Sequence, residues 1–439
     1  MQRIEIHNFG PIKDVALDIK DYTVFIGPNA SGKSTIAKAV YFFKSLAEEL
    51  KSCFLKLQQT GSFHSGSKLF QKTIKKKCDS YWNRTYWNSG SIIKFSFDKD
   101  DVITIKHDGG QFSSPKVELN DSIREKFERH LKPFGEIGKK IVKNDETSNV
   151  FEMFLFQQKL NSFFPGNHDY SYIPAGRTVF SAVRNELNPK TDVFTQDYLV
   201  GEFVVAINQI RKFFSDNTVA ERIKEEIADF KDYEHHVTNG DNEAQGLTKK
   251  VNNIHLLAQK ILSGDYHYNK NKDQIIIAKD KCIPVVDSSS GQQESLWILL
   301  FLIHTLSTRF FNNFTIIEEP EAHLFPESQK NMMWALTYFA NVPNNQLMLT
   351  THSPYILTPL NNLLYAHTLG QDESKREAVA KIIDPDLWLD PNRFDCYYVD
   401  KGEITSVVDR DVNMINLEQL DSASTIGNEE YDKLSELES

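Results

Sequence analysis

One eight-residue stretch constrains the chain more than any other. Gly27-Pro28-Asn29-Ala30-Ser31-Gly32-Lys33-Ser34 fits the pattern G-x-x-x-x-G-K-[ST] at every fixed position, and Thr35 follows it. Tyr22-Thr23-Val24-Phe25-Ile26 before the loop reads as a buried strand. Ile36, Ala37, Val40, Tyr41 and Phe42 after it fall on the inward side of a helix. Between strand and helix, the backbone N–H groups of the loop and the helix start can surround a β-phosphate. Lys33 is placed to bridge β- and γ-oxygens, and Ser34 to reach Mg²⁺. Gly32 keeps the backbone close to the phosphate, where a side chain would obstruct it. Gly27, Asn29, Ala30, Ser31, Gly32, Lys33, Ser34 and Thr35 are therefore the candidate nucleotide-binding residues.

A phosphate loop binds; other residues must hydrolyse. Phe314-Thr315-Ile316-Ile317-Glu318-Glu319 is an apolar strand ending in two carboxylates. Glu318 is expected to hold the metal, directly or through water, and Glu319 to polarise the attacking water. Glu321 extends the run to EEPE without an assigned role. Gln346 to Thr350 is a final strand, and Thr351-His352-Ser353-Pro354 sits just past it. In an open parallel sheet the carboxyl ends of strands face the ligand crevice, which puts His352 near the phosphates as a γ-phosphate or water contact. Catalysis is thus expected from Glu319, His352 and Lys33. Ser288-Ser289-Ser290-Gly291-Gln292-Gln293-Glu294 precedes the apolar helix SLWILLFLIHTL. Small hydroxyl residues and a glycine at a helix start suit an anion. The same residues also read as an ordinary serine N-cap.

The rest of the chain says less about chemistry. The opening MQRIEIHNF alternates like a strand and carries no signal-peptide pattern. Ile92 to Phe97 and Val102 to Lys106 predict a hairpin, and Ile275 to Ala278 with Cys282 to Val286 a second strand pair. Residues 120 to 165 and 190 to 262 read as mainly helical. DCYYVDKGEITSVV reads as a small hairpin that covers a sheet edge, docks a partner or simply closes the fold. Lys72, Lys75, Lys76 and Lys77, with Lys139-Lys140, are either contacts to a nucleic-acid backbone or a solvated helical face. With 50 Lys+Arg against 60 Asp+Glu the formal net charge is -10, which argues against indiscriminate coating of nucleic acid. No run reaches the ~18 apolar residues of a membrane helix. The 4 cysteines form no CxxC pair, which suits a reducing cytosol.

Together, GPNASGKST, SSSGQQE, IIEEPEAHLFPE and TTHSP resemble the ATP-binding-cassette type of ATPase head. The opening IEIHNFGPIKDVALDI and the element Tyr172-Ile173-Pro174-Ala175-Gly176-Arg177 resemble the SMC/RecF/overcoming-lysogenization-defect branch of that group. The resemblance implies an α/β fold: an ABC-type P-loop ATPase head with a mixed central sheet, an antiparallel subdomain and an inserted helical region. It places an N-terminal lobe at 1–110, a mainly helical insertion at 111–270 that returns to the core near 171–181, a C-terminal lobe at 271–367, and a small cap or partner-docking segment at 368–439.

The same resemblance implies ATP and Mg²⁺ as ligands and an ATP-hydrolysing enzyme. Two heads would sandwich ATP, so that Ser289, Ser290, Gly291 and Gln292 of one copy act on nucleotide held by the other. The usual LSGGQ is altered, with Ser288 at the leucine and Ser290 at the first glycine. His323 in EAHLFP is a candidate to cross that interface. Gln157 or Gln158 is expected as the metal-contacting glutamine, with Gln158 preferred. Arg177 either touches phosphate or pairs with an acidic residue at the lobe boundary. By overall shape the chain resembles compact ATPases of bacterial anti-phage systems of PARIS, Septu or retron-associated type. That implies a cytoplasmic homodimer or higher homo-oligomer with a separate effector such as a nuclease, a phage protein or nucleic acid as trigger, and no membrane. The alternative is a RecF/SMC-like ATPase of DNA repair or DNA handling.

Overall fold

The computed structural model describes residues 2–60, 66–109, 114–129, 163–164, 166, 169–182, 197–215, 217–234, 241–279, 281–308 and 312–417. Gln157, Gln158 and the Lys139-Lys140 pair lie outside these.

The alternation at the start of the chain builds an antiparallel pair. β1 (Arg3–Phe9) and β2 (Ile12–Asp18) set Ile4 opposite Leu17 and Ile6 opposite Val15, all four buried. β3 (Tyr22–Ile26) is buried along its whole length, as a strand covered on both faces must be. β4 (Trp87–Ser96), β5 (Val102–His107) and β6 (Lys116–Leu119) extend the antiparallel side beyond β1. β7 (Asp169–Ile173) stands at the far edge. β8 (Asp265–Asn269), β9 (Lys272–Ala278) and β10 (Lys281–Pro284) make a separate three-stranded sheet, one strand more than the sequence pattern implies. β11 (Asn313–Glu318), β12 (Gln346–Thr351), β13 (Phe394–Asp400) and β14 (Glu403–Ser406) complete the main sheet, whose order is β6-β5-β4-β1-β2-β14-β13-β3-β12-β11-β7. The strands from β13 to β7 run parallel and those from β6 to β2 antiparallel. This is the mixed sheet expected of the α/β head.

Two apolar layers cover this sheet, and β3 shows how the pleat divides them: Tyr22, Val24 and Ile26 enter one core and Phe25 the other. The Phe25 side holds α1 (Lys33–Lys44), α2 (Leu46–Thr60) and α3 (Gly66–Tyr81). α2 and α3 thus form a helical pair ahead of β4. After β7 come α4 (Thr178–Ala182), α5 (Tyr198–Phe213), α6 (Val219–Glu234) and α7 (Asp241–Leu262). They are followed by α8 (Ser290–Ser307), α9 (Pro326–Ala340), α10 (Leu357–Gly370) and α11 (Glu373–Ala380). Residues of α5, α7, α8, α9 and α10 fill the opposite core.

Two sequence expectations change here. The C-terminal hairpin covers no sheet edge. β13 lies beside β3, with Cys396 opposite Val24, and β14 lies beside β2, so the hairpin joins the two halves from within. Its turn is seated by Gly402, whose carbonyl accepts from Lys13 N at 2.9 Å and where a Cβ would fall 2.2 Å from Pro11 O. The lysine cluster is also divided. Lys72, Lys75 and Lys76 are exposed on α3, but Lys77 is buried, 3.5 Å from Glu49 and over the Tyr198 ring.

Candidate functional site

Strand ends from three non-adjacent parts of the sequence meet at one end of the parallel half-sheet. β3, β12 and β11 are neighbours, with Ile26 opposite Thr351 and Thr350 opposite Glu318. Each strand therefore delivers its terminal residues to the same level: the glycine-rich loop, the Thr351–Pro354 turn and the paired glutamates.

The loop is shaped by close approaches. Gly27 has φ 154° and runs against β13, where a Cβ would stand 2.1 Å from Val399 O. Gly32 caps α1 with φ 110°, and a Cβ there would meet Ile12 Cδ1 at 2.4 Å. The β1–β2 turn thus presses on the loop. A cavity of about 470 Å³ lies above it, lined by Ala30, Ser31, Gly32, Lys33, Ser34, Thr35 and His352, and on the other side by Gly10, Pro11, Thr85 and Tyr86. The last four carry no motif. Gly10 N donates to Tyr86 O at 2.8 Å and the Tyr86 ring packs 5.6 Å from that of Phe9, long-range contacts that bring Tyr86 to the loop. Asn29 is exposed at the loop's turn.

Lys33 is buried, and its Nζ donates to Gly27 O at 2.8 Å and Pro28 O at 2.7 Å. His352 Nδ1 is 3.2 Å from the same ammonium, and His352 Nε2 is 3.1 Å from Glu319 Oε1. An ammonium can only donate and a carboxylate can only accept. His352 Nδ1 also lies 3.1 Å from Gly27 O, so the ring is wedged between the phosphate loop and the acidic strand end. A charged chain therefore runs from the phosphate loop to the acidic strand end through the histidine. Burial lowers the Lys33 ammonium to about 8, against the pull of Glu319, Glu321 and Glu318, which raise it.

The glutamates differ in setting. Glu318 is buried, with Oε2 accepting from Ala175 N at 3.2 Å and Oε1 without a hydrogen-bond partner. Glu319 is part-exposed and holds a left-handed backbone, φ 45°, with its N–H donating to Thr350 O at 2.8 Å. Glu321 is buried, accepting from Thr351 Oγ1 at 2.5 Å and His352 N at 3.1 Å, and burial pushes its carboxyl upward. It thereby fixes the turn that carries His352.

The serine-rich segment is not brought to the same cavity. Ser289 is the N-cap of α8 in a capping box: its Oγ accepts from Gln292 N at 3.3 Å while its N–H donates to Gln292 Oε1 at 3.0 Å. Gln292 Nε2 donates to Leu262 O at 2.6 Å. Ser289 and Ser290 are exposed, and Gly291 rests on the EAHLFP loop, where a Cβ would fall 2.6 Å from His323 O. His323 itself is exposed. Of the two readings of Arg177, the acidic pairing holds: the side chain is fully buried, with Nε 3.2 Å from Glu294 Oε2.

Hydroxyl and carboxylate oxygens are the hard donors that Mg²⁺ takes. Ser34 on the loop and the unpartnered Oε1 of buried Glu318 fit that ion, and the glycine-lined cavity beside Lys33 fits phosphate. Among the described residues there is no cluster of three or more His, Cys, Asp or Glu able to hold a metal by themselves, and no helix is long and apolar enough to cross a membrane.

A family model described as "AAA ATPase domain" matches residues 1–357. No curated protein matches the chain. Among solved structures, an Smc head bound to the C-winged helix domain of ScpA is similar at 11% identity, covering 92% of this chain and 96% of that one, with a TM-score of 0.42. An Smc head domain with an extended coiled coil bound to the C-terminal domain of ScpA, derived from Pyrococcus furiosus, is similar at 12% identity, covering 98% and 99%, with a TM-score of 0.40. The recombination mediator protein RecF of the RecFOR pathway is similar at 11% identity, covering 92% and 97%, with a TM-score of 0.33.

Proposed function

The chain belongs to the AAA ATPase domain family and is an ATPase, and from that premise we propose that it works as an ATP-gated switch in which two copies close on shared nucleotide. The observation that carries this reading is the contact chain Lys33–His352–Glu319, which ties the phosphate loop to the carboxylates in one site. ATP brings the phosphoanhydride and Mg²⁺ the charge neutralisation when bound. Lys33 leaves the Gly27 and Pro28 carbonyls for the phosphate oxygens. Ser34 and Glu318 would hold the ion; Gln158, the expected third contact, lies outside the described residues. His352, released from the ammonium, turns its Nδ1 toward the γ-phosphate or the attacking water. Glu319 orients that water and draws its proton.

Ser289, Ser290, Gly291 and Gln292 act on the nucleotide of the other copy. Support comes from their exposed start of α8, which lies apart from the cavity of their own chain. Closure and hydrolysis then form a nucleotide-held two-state element.

Glu319→Gln tests the site. It keeps the shape of the side chain and removes the base, so ATP should still bind, closed pairs should accumulate and turnover should fall by about 10²-fold or more. Normal turnover would show that Glu319 does not have this role.

For the setting of the switch, DNA handling comes first. The opening strand pair and the ATPase motifs resemble the SMC/RecF branch, and Lys72, Lys75 and Lys76 offer exposed ammoniums on α3. Duplex DNA binding that weakens steeply with salt and is lost on replacing these three lysines would support it. The second setting is cytoplasmic anti-phage defence, with a separate nuclease effector and a phage protein or nucleic acid as trigger. It rests on the resemblance in overall shape, and co-purification with a nuclease whose activity follows ATP would favour it.

A further inference from the structure

Arg177 was open to two roles as sequence, and its geometry assigns it a third job. The guanidinium is fully buried, and its donors run in three directions. Nε donates to Glu294 O at 2.8 Å, inside the serine-rich segment that opens α8. Nη1 donates to Pro174 O at 2.8 Å and Glu318 O at 2.6 Å, and Nη2 to Glu319 O at 2.7 Å. The Glu294 carboxylate answers from the other side. It accepts from Arg177 N at 2.9 Å and from Thr178 N at 3.1 Å, while Trp297 Nε1, one turn further along α8, donates to Ser181 Oγ.

These contacts matter because of where they end. The carbonyls of Glu318 and Glu319 lie at the end of β11, and Glu319 sits in a left-handed conformation that an L side chain rarely adopts. Such a conformation persists only where its surroundings hold it. Here Thr350 O takes the Glu319 N–H and Arg177 takes the carbonyl, so the peptide is gripped at both ends. A lysine carries a point charge and has no planar fork, so it cannot serve Glu294, Glu318 and Glu319 together.

We infer that Arg177 is a positioning residue that makes the start of α8 and the Glu318–Glu319 backbone move as one body. Seating the Ser289–Gly291 end of α8 on nucleotide held by a second copy then sets Glu319 for water activation in the chain's own site. The inference rests on the paired-head reading above. It gives each head a direct mechanical report of whether its partner is loaded, and the two sites hydrolyse cooperatively.

The test uses the full chain carrying Arg177→Lys or Glu294→Gln. Affinity for a fluorescent ATP analogue should stay within about twofold, while kcat falls by at least about tenfold and the sigmoidal dependence of rate on ATP becomes hyperbolic. A general structural defect would lower affinity and kcat together. Hydrogen exchange of the wild-type protein covers the case in which neither variant folds. Adding a non-hydrolysable ATP analogue should slow exchange at the amides of Thr178 and Glu319 in parallel. Protection at Thr178 without protection at Glu319 overturns the inference, as do variants with wild-type kcat and cooperativity. A wild-type enzyme that is hyperbolic in ATP and monomeric with nucleotide overturns the paired-head reading itself, and the inference with it.

Discussion

Adding one methyl group at Gly27 should damage the nucleotide site more than its size suggests. The Cβ of Gly27→Ala would stand 2.1 Å from Val399 O, 3.1 Å from Val399 C and 3.3 Å from Val399 N. These are backbone atoms of β13, held by parallel pairing to β3, so no rotamer change relieves the contact. To reach even 3.0 Å, the loop and β13 must separate by about 0.9 Å. Overpacking of this kind costs about 1–3 kcal/mol. The functional loss should exceed that share of stability, because Gly27 O is one of the two carbonyls that hold Lys33 Nζ and the loop above it aims the backbone amides. A misplacement near 1 Å in a positioning element costs about 10²-fold in rate. Gly90→Ala is the comparison: Gly90 also has a positive φ, 80°, but no atom lies within 4 Å of its Cβ. Both variants should melt a few degrees lower, and phosphate release at saturating ATP should collapse only in Gly27→Ala. Turnover within about twofold of wild type in a folded Gly27→Ala would refute the claim that β13 sets the height of the loop.

The Lys33 ammonium, lowered to about 8 by burial, loses its proton as pH rises through that value, and the neutral amine no longer draws phosphate. ATP affinity should therefore be level below about pH 8 and fall above it by up to tenfold per pH unit. A titration that stays level to pH 9.5 would show that Lys33 remains charged there. Ser290→Arg puts a long cation on the exposed first residue of α8, so one head should still bind the fluorescent nucleotide while turnover and nucleotide-induced pairing are lost. Equal turnover in that variant would count against a site completed by a second copy.

Local pattern carried much of the architecture. The strand before Gly27, the alternation of Ile4 and Ile6 and the apolar run of α8 each predict an element from neighbouring residues, and the α/β head follows from them. What pattern could not supply is the order in which distant strands meet. β13 pairs with β3 across more than 350 residues of chain, and its mixed polarity reads equally well as an edge or a cap. Its position inside the sheet, between β3 and β14, is set by pairing with strands from the start of the chain. Tyr86 and Thr85 were invisible for the same reason. They reach the phosphate cavity through the pairing of Phe9 with Trp87 and the backbone hydrogen bond from Gly10, and no spacing rule connects residue 10 with residue 86.

Arg177 marks the limit from the other side, because its residue type was informative and its partners were not. A lone arginine after a strand end is compatible with phosphate, and the element YIPAGR has no acidic neighbour to argue otherwise. The deciding partner, Glu294, sits inside a segment whose serines and glycine draw attention to anion binding, so its carboxylate looks like surface charge. Only burial separates the readings. A guanidinium with no exposure, four of whose five N–H donors go to main-chain carbonyls, is enclosed away from any nucleotide, and a carboxylate that accepts two backbone N–H groups is part of the frame. The serine-rich segment therefore has two faces. Ser289 and Ser290 are turned to solvent, while Glu294 is locked inward to the residues that hold Glu319, so a contact made outside the chain has a rigid path to the centre of its own site.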